Sequence, residues 1–379
     1  MKILIVVTRG EIGGAQIFSL NLAKILRKLN HEITVGFGDG NFLKTELSKN
    51  NIPFINFKFL KRSLNPFKSI FFILELRDYL NQIKPDILHL NSSNALLGLL
   101  ATKFTKHRPK TIFTIHGLSF LNENHKLPRP IKIIALFLFV KLSQLSDKII
   151  FVSNTDQAGL KSKYKPKKIA LIHNTCDLNI NQQLSKPEAR FKLEQRTAKL
   201  ENAFLIGSIG RLAYPKNYIF LINIFPSILK QLPEAKLIII GDGPDQKELQ
   251  DQINERNLQT SIFLVGAIPH AYKFIKAFDL FVLPSIFEGL SLTLIEALSS
   301  GLPILSSDVG GSAEVVNHDA QQLYKLNDGD DFLRKLVNIA NDQRLSMSIS
   351  RKNLEYSKNF STRKISEEYL KIYSQLLLQ

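Results

Sequence analysis

Cysteine is nearly missing. Cys176 stands alone among 379 residues, which excludes an intramolecular disulfide framework and fits a reducing compartment. Also missing is any run near the ~18 apolar residues that a membrane-spanning helix needs. The opening MKILIVVTRG holds only a short apolar run before Arg9. That run is too short for a signal-peptide core and is expected to form a first buried strand, so a cytoplasmic protein is expected. No internal repeat, low-complexity tract or Gly/Ser linker interrupts the chain. No glycine pattern of the GxGxxG type is present, no P-loop lysine follows the glycines near the start, and no DxD-like metal motif stands in a convincing place.

Acidic residues are scarce in one half only. Residues 1–200 hold 32 Lys/Arg against 13 Asp/Glu, and residues 201–379 hold 18 and 20. The net charge of +17 thus lies wholly in the first half. An anionic membrane surface, nucleic acid, or a merely soluble lysine-rich surface would each fit. No basic stretch is interleaved with aromatics and no nucleic-acid motif occurs. Nucleic acid is therefore not the expected partner; an anionic bilayer, or a lipid-linked or acidic acceptor, is preferred. The segment PRPIKIIALFLFVKL at 128–142, preceded by Lys126, offers two readings. It is either a helix of a sheet's outer layer or an interfacial helix with snorkelling lysines, Lys132 and Lys141.

The length suffices for two domains with full cores. Short apolar runs (KILIVV, EITVGF, PFINF, DILHL, TIFTIHG, DKIIFVSN) alternate with helical patterns, which predicts a parallel, doubly wound sheet. Residues 178–201 are polar and read as a linker, and a second alternating series opens at AFLIGSIGRL. Ligands of such sheets sit at the carboxyl ends of the strands. Gly13 and Gly14 fall there in the first series, at a helix start suited to an anion, and so does His116. In the second series Arg211 and Lys216 bracket the loop after the first strand. A planar fork and a point charge suit a diphosphate, although surface cations are common. The turn Gly241-Asp242-Gly243-Pro244 is expected to be tight, with Pro244 opening a helix.

The stretch from Pro284 to Gly301, PSIFEGLSLTLIEALSSG, places Glu288 eight positions before Glu296. Glu288 is expected in a strand-to-helix loop and Glu296 on the helix that follows, about six residues or roughly 9 Å from its start. Amide groups at the helix start would take phosphate and the two carboxylates would accept from hydroxyls. A glutamate pair on a helix flank is weak evidence by itself.

These stretches together resemble the retaining glycosyltransferases of family 4, with the GT-B fold. The likeness rests on the E-x7-E stretch, the G-R-L-x3-K-N run at Gly210–Asn217, the G-x-G-P turn, the GGAQ loop, HNTCD at 173–177, and LPILSSDVGGSAEVV. It implies α/β architecture: two Rossmann-like domains facing a cleft that holds the donor. Residues 1–180 would form an acceptor-binding domain on which a helix from about 361 to 379 packs back, and residues 200–360 a donor-binding domain. It implies transfer of a sugar from a nucleoside diphosphate sugar to an acceptor hydroxyl, with retention and without metal or other cofactor. Cell-surface polysaccharide assembly, such as lipopolysaccharide or capsule, at the inner face of a membrane would follow. The implied catalytic residues are His116, Glu288, Arg211 and Lys216. The implied donor-binding residues are Gly13, Gly14, Gly210, Arg211, Lys216, Gly241, Gly243, Glu288, Gly289, Leu290, Ser291, Leu292 and Glu296. Gly310-Gly311 would be a close backbone approach and Glu314 structural. Four positions depart from the family pattern: Gln16 for Glu, Thr175 for Gly, Leu290 for Phe and Ser291 for Gly. A GT-B epimerase, a basic nucleic-acid-binding module and a non-catalytic relative are the alternatives.

Overall fold

The computed structural model describes residues 1–61, 65–118, 128–175 and 183–379; Lys126, Cys176, Asp177 and the first part of the expected linker, 178–182, lie outside them. The chain divides into two compact units, Met1–Asp177 with Phe360–Gln379, and Leu178–Asn359.

The first unit runs β1 (Lys2–Val7), α1 (Gly14–Lys28), β2 (Glu32–Phe37), α2 (Phe42–Lys49), β3 (Phe54–Asn56), α3 (Pro66–Ile83), β4 (Ile87–Leu90), α4 (Gly98–Ala101), β5 (Lys110–Ile115), α5 (Arg129–Ser143), β6 (Lys148–Phe151), α6 (Asn154–Leu160) and β7 (Ile169–Leu171). Its seven strands are ordered β3-β2-β1-β4-β5-β6-β7 and the pairings are parallel. Strands covered on both faces need continuous apolar runs, which is why KILIVV and ILHL carry no alternation. Successive residues of β1 serve opposite layers. Ile3, Ile5 and Val7 pack with α1 and α2, and Leu4 and Val6 pack with α3, α4 and α5. The strand order reverses direction at β1, so right-handed crossovers put the earlier and later helices on opposite faces.

The second unit opens with α7 (Lys186–Glu194), so part of the expected linker is helical. Then follow β8 (Phe204–Ile209), α8 (Tyr218–Gln231), β9 (Ala235–Ile240), α9 (Gln246–Glu255), β10 (Ile262–Leu264), β11 (Leu280–Leu283), α10 (Leu292–Ser299), β12 (Ile304–Ser307), α11 (Ser312–Val315), β13 (Leu323–Tyr324), α12 (Gly329–Asn341) and α13 (Gln343–Ser357). Six parallel strands are ordered β10-β9-β8-β11-β12-β13. Both sheets are Rossmann-like, with the order reversing at the first strand of each series.

A last helix, α14 (Thr362–Leu377), belongs to the first unit. Its buried stripe of Ile365, Tyr369, Ile372, Tyr373 and Leu376 joins the layer of α1 and α2. The stripe carries hydroxyls into the core, and each needs a partner there. The Tyr373 hydroxyl lies 2.7 Å from His89 Nδ1, and His89 Nε2 lies 2.7 Å from Thr114 Oγ1. Thr175, where the resembled family has glycine, donates its hydroxyl to the Phe360 carbonyl at 2.8 Å. Its side chain thus holds the chain where α14 begins.

Candidate functional site

In the second unit, β8 ends at Ile209 and the chain turns through Gly210 into the loop carrying Arg211 and Lys216. A side chain at Gly210 would come within 2.6 Å of the Tyr218 hydroxyl and 3.2 Å of Lys216 Cε. Glycine thus lets the lysine fold back over the strand end. Lys216 Nζ lies 2.7 Å from Glu288 Oε1, with both side chains largely buried. Ser285 donates to the same carboxylate oxygen at 2.6 Å. Two charge-assisted bonds at low exposure fix Glu288 in the loop between β11 and α10. The Lys216 loop and the Glu288 loop are also joined by Ile286 N–H to Pro215 O at 2.8 Å. Arg211 is exposed and makes no ion pair among the described residues, so its cation is available to an anion.

The helix after Glu288 begins later than its sequence suggests. Gly289 and Leu290 stay in the loop, Ser291 is the extended cap residue and Leu292 the first helical one. Glu296 is therefore only four residues, or ~6 Å, into α10 rather than the expected six. Ser291 has φ −70 and ψ 120, which any residue adopts. Its hydroxyl lies 3.1 Å from Thr293 Oγ1, so the departure from glycine introduces no backbone strain. The amides opening α10 lack intrahelical acceptors by geometry. Glu296 is 8% exposed, and no hydrogen bond reaches its carboxyl group among the described residues. Burial pushes its pKa up to about 8. A ligand donating hydroxyl hydrogens would relieve this cost of desolvation.

The glycines of the other turns let backbone pass close to backbone. A Cβ at Gly241 would lie 1.9 Å from the Gly210 carbonyl oxygen, and one at Gly243 2.2 Å from that of Leu212. The space is filled by the loop after β8, held by Leu212 N–H to Asp242 O at 2.7 Å. These glycines let two strand-end loops touch. Gly310, at φ +52, would bring a Cβ within 1.8 Å of the Glu288 carbonyl oxygen. Gly311 N–H donates to Gly289 O at 2.9 Å, so this turn supports the Glu288 loop from below.

In the first unit, Gly13 and Gly14 open α1, and Gln16 folds over Gly13, its Oε1 only 2.6 Å from where a Cβ would stand. One turn on, the Phe18 ring packs edge-on against His116, centroids 4.7 Å apart. His116 follows β5, and Asn91 follows the neighbouring β4. Asn91 Oδ1 lies 3.0 Å from His116 Nε2, and Asn91 Nδ2 faces the His89 carbonyl at 3.5 Å. The amide oxygen therefore points at the imidazole, and Nε2 must be the donor. Burial pulls the His116 pKa down to about 4, opposed by a side-chain hydrogen bond with Asn174. The ring is neutral near pH 7 as an Nε2–H tautomer, which puts the lone pair on Nδ1.

The sequence reading missed Asn91, Ser285 and Phe18. Asn91 and Ser285 carried a usable signal, each lying at or just beyond the end of an apolar strand. Phe18 carried none, since an aromatic on a helix is ordinarily core. Among the described residues no three His, Cys, Asp or Glu side chains gather as metal ligands would.

Residues 189–357 match the family model for glycosyl transferases group 1, and residues 12–180 match that for glycosyltransferase family 4. An uncharacterized glycosyltransferase of Methanocaldococcus jannaschii is 30% identical over 295 residues, 76% of this chain and 71% of the relative. The UDP-Gal:alpha-D-GlcNAc-diphosphoundecaprenol alpha-1,3-galactosyltransferase of Escherichia coli is 28% identical over 296 residues, 76% of this chain and 75% of that one. The crystal structure of Anabaena HepE with UDP-glucose superposes with a TM-score of 0.84 at 23% identity, covering 99% of this chain and 100% of that one. With matches running through both units, the chain belongs to the family 4 glycosyltransferases of the GT-B fold.

Proposed function

We propose that this chain transfers a sugar from a nucleoside diphosphate sugar to a hydroxyl of a lipid-linked or saccharide acceptor, with retention and without metal, in cell-surface polysaccharide assembly. The observation that carries the reading is the buried Lys216–Glu288 pair, fixed by Ser285, in the loop that leads into α10. A diphosphate would draw Lys216 and Arg211 to its oxygens and rest on the amides opening α10. Glu288, released from its lysine, would then accept from sugar hydroxyls, and Glu296 from those of the ribose. The C1–O bond to the diphosphate breaks as the C1–O bond to the acceptor forms on the same face. The acceptor's proton passes to the leaving phosphate oxygen. The two cations offset the charge that develops there, which is the electrostatic contribution a metal makes elsewhere. Glu288 is not assigned as nucleophile. His116 would help to position the sugar, as the family likeness implies. The named E. coli relative uses a UDP-sugar and a diphosphoundecaprenol-linked acceptor, which supports both partner classes.

The test is thermal stabilisation by a panel of nucleoside diphosphates and their sugars in the presence of a chelator. One base should raise the melting temperature by mass action, less so in Arg211→Ala. No shift with any nucleotide, with and without added divalent metal, would overturn the reading.

A further inference from the structure

We propose that the outer faces of α3 and α5 form one docking surface for an anionic lipid bilayer. The inference extends the lipid-linked-acceptor reading, but it stands on a different part of the molecule. On α5, only Phe139, Val140 and Ser143 are buried. Ile133, Ile134, Phe137 and Leu138, spaced i, i+4 in two adjacent rows, are 53–63% exposed. The helix is thus only partly the outer-layer element that one of its two readings offered. On α3, Phe72, Leu76 and Leu80 face the sheet. Phe67, Ile70, Phe71 and Leu74, at i, i+3, i+4 and i+7, face away, and Phe67 is 71% exposed.

Both helices belong to one layer, sharing a core with Leu4 and Val6 of β1. The short segment 95–101 packs against α3 on one side and α5 on the other. The two apolar stripes therefore lie on the outside of the same face. Large exposed apolar residues of the second unit are scattered singly among the described residues: Phe191, Tyr214, Met347 and Leu354. Apolar stripes gathered on one layer, rather than scattered, mark a surface with a partner.

Charge selects the partner. Residues 66–146, which span both helices, contain eleven Lys/Arg and four Asp/Glu. Helix α5 has Arg129 and Lys132 toward its start, Lys141 near its end, and no acid. Lys141 Nζ lies 5.6 Å from the Phe137 ring centroid, and Lys58 Nζ 5.5 Å from that of Phe59, itself packed on Phe71. Cations at the rim of an apolar stripe fit phosphate headgroups above an acyl boundary. A second copy of the chain would set these cationic rims against each other in a two-fold contact, which disfavours self-association.

The experiment is co-sedimentation of the full chain with phosphatidylglycerol vesicles and with phosphatidylcholine vesicles, without donor or acceptor, at low and high salt. The chain should bind the anionic vesicles, more weakly as salt rises, and bind the zwitterionic ones poorly. Ile133→Asp with Phe137→Asp, and separately Phe67→Asp with Phe71→Asp, should each lower binding at least about tenfold. Lys132→Gln with Lys141→Gln should flatten the salt dependence, and Met347→Asp should change nothing. Unchanged melting temperatures and retained nucleotide-induced shifts identify folded variants. The proposal is overturned if the folded double variants bind like the wild type or the wild type ignores anionic vesicles. A concentration-dependent dimer that these substitutions dissociate would give the face to a second copy instead. Vesicle binding that persists in a chain with no transferase activity would overturn the proposed function and leave this surface standing.

Discussion

The first unit holds 30 Lys/Arg against 13 Asp/Glu, while the second holds 20 of each. The charge is therefore a property of one unit rather than of the chain. The same division separates how their sites are built. In the second unit Ser285, Glu288 and Ser291 come from one loop, and Arg211 and Lys216 come together from the loop after β8. In the first unit the environment of His116 is assembled from β4, β5 and α1. A charge-clamped loop and a long-range cluster should fail differently, and that difference can be tested.

The largest expected effect is in the clamp. Lys216→Ala, or Glu288→Ala, should lower turnover at least about tenfold with the fold intact, because a charge is lost where charge develops. Near wild-type rates in either variant would remove the second unit's side of the comparison. Next comes Asn91→Ala, which should lower turnover several-fold, on the order of a lost positioning hydrogen bond, while leaving the nucleotide-induced thermal shift unchanged. Asn91→Asp should instead move the acidic limb of the pH–rate profile upward, since a carboxylate beside His116 favours the imidazolium. An unmoved profile would reduce the cluster to packing.

The units should also answer pH in opposite senses. His89 and His116 are pulled by burial to about 3 and about 4, below their usual 6.5. Their neutral forms support the first unit above pH 6.5, and that support is lost as pH falls through the folded values. Glu296 is pushed up from 4.5 to about 8. Between those values the unfolded chain has already released the proton, so the second unit loses stability as pH rises. Hydrogen exchange followed from pH 4 to 8 should show the first unit loosening toward acid and the second toward base. Glu296→Gln should flatten only the second trend, and equal trends in variant and wild type would contradict the assignment. The smallest effect is Ser291→Gly. At an ordinary φ the glycine adds unfolded-state freedom and removes only the hydroxyl contact with Thr293, so denaturant unfolding should show a loss of under ~1 kcal/mol.

How much was legible follows the same line. The alternating apolar runs gave both sheets, because strands buried on both faces leave a continuous signal. The E-x7-E and Arg–Lys spacings pointed to loops because local motifs survive in one dimension. The helix start at Leu292 was misjudged, since LSLTLIEALSS is apolar throughout and its cap, Ser291, resembles its neighbours. The glycines at 241 and 243 show in sequence only as a turn, whereas what a side chain there would strike, the carbonyls of another loop, appears only in three dimensions. Asn91 and Phe18 gain meaning only from His116, which lies 25 residues from one and further from the other.

The return of α14 has a consequence for the order in which the protein takes shape as it leaves the ribosome. His89, Thr114 and Thr175 wait for Tyr373, Tyr369 and the Phe360 carbonyl, which are made after the whole second unit. The second unit, encoded in the middle, has all its residues by Asn359. Its core can close while the earlier-made first unit still lacks part of one wall. During that interval buried imidazole and hydroxyl groups of the older segment stand open, so the unit begun before the second is completed after it.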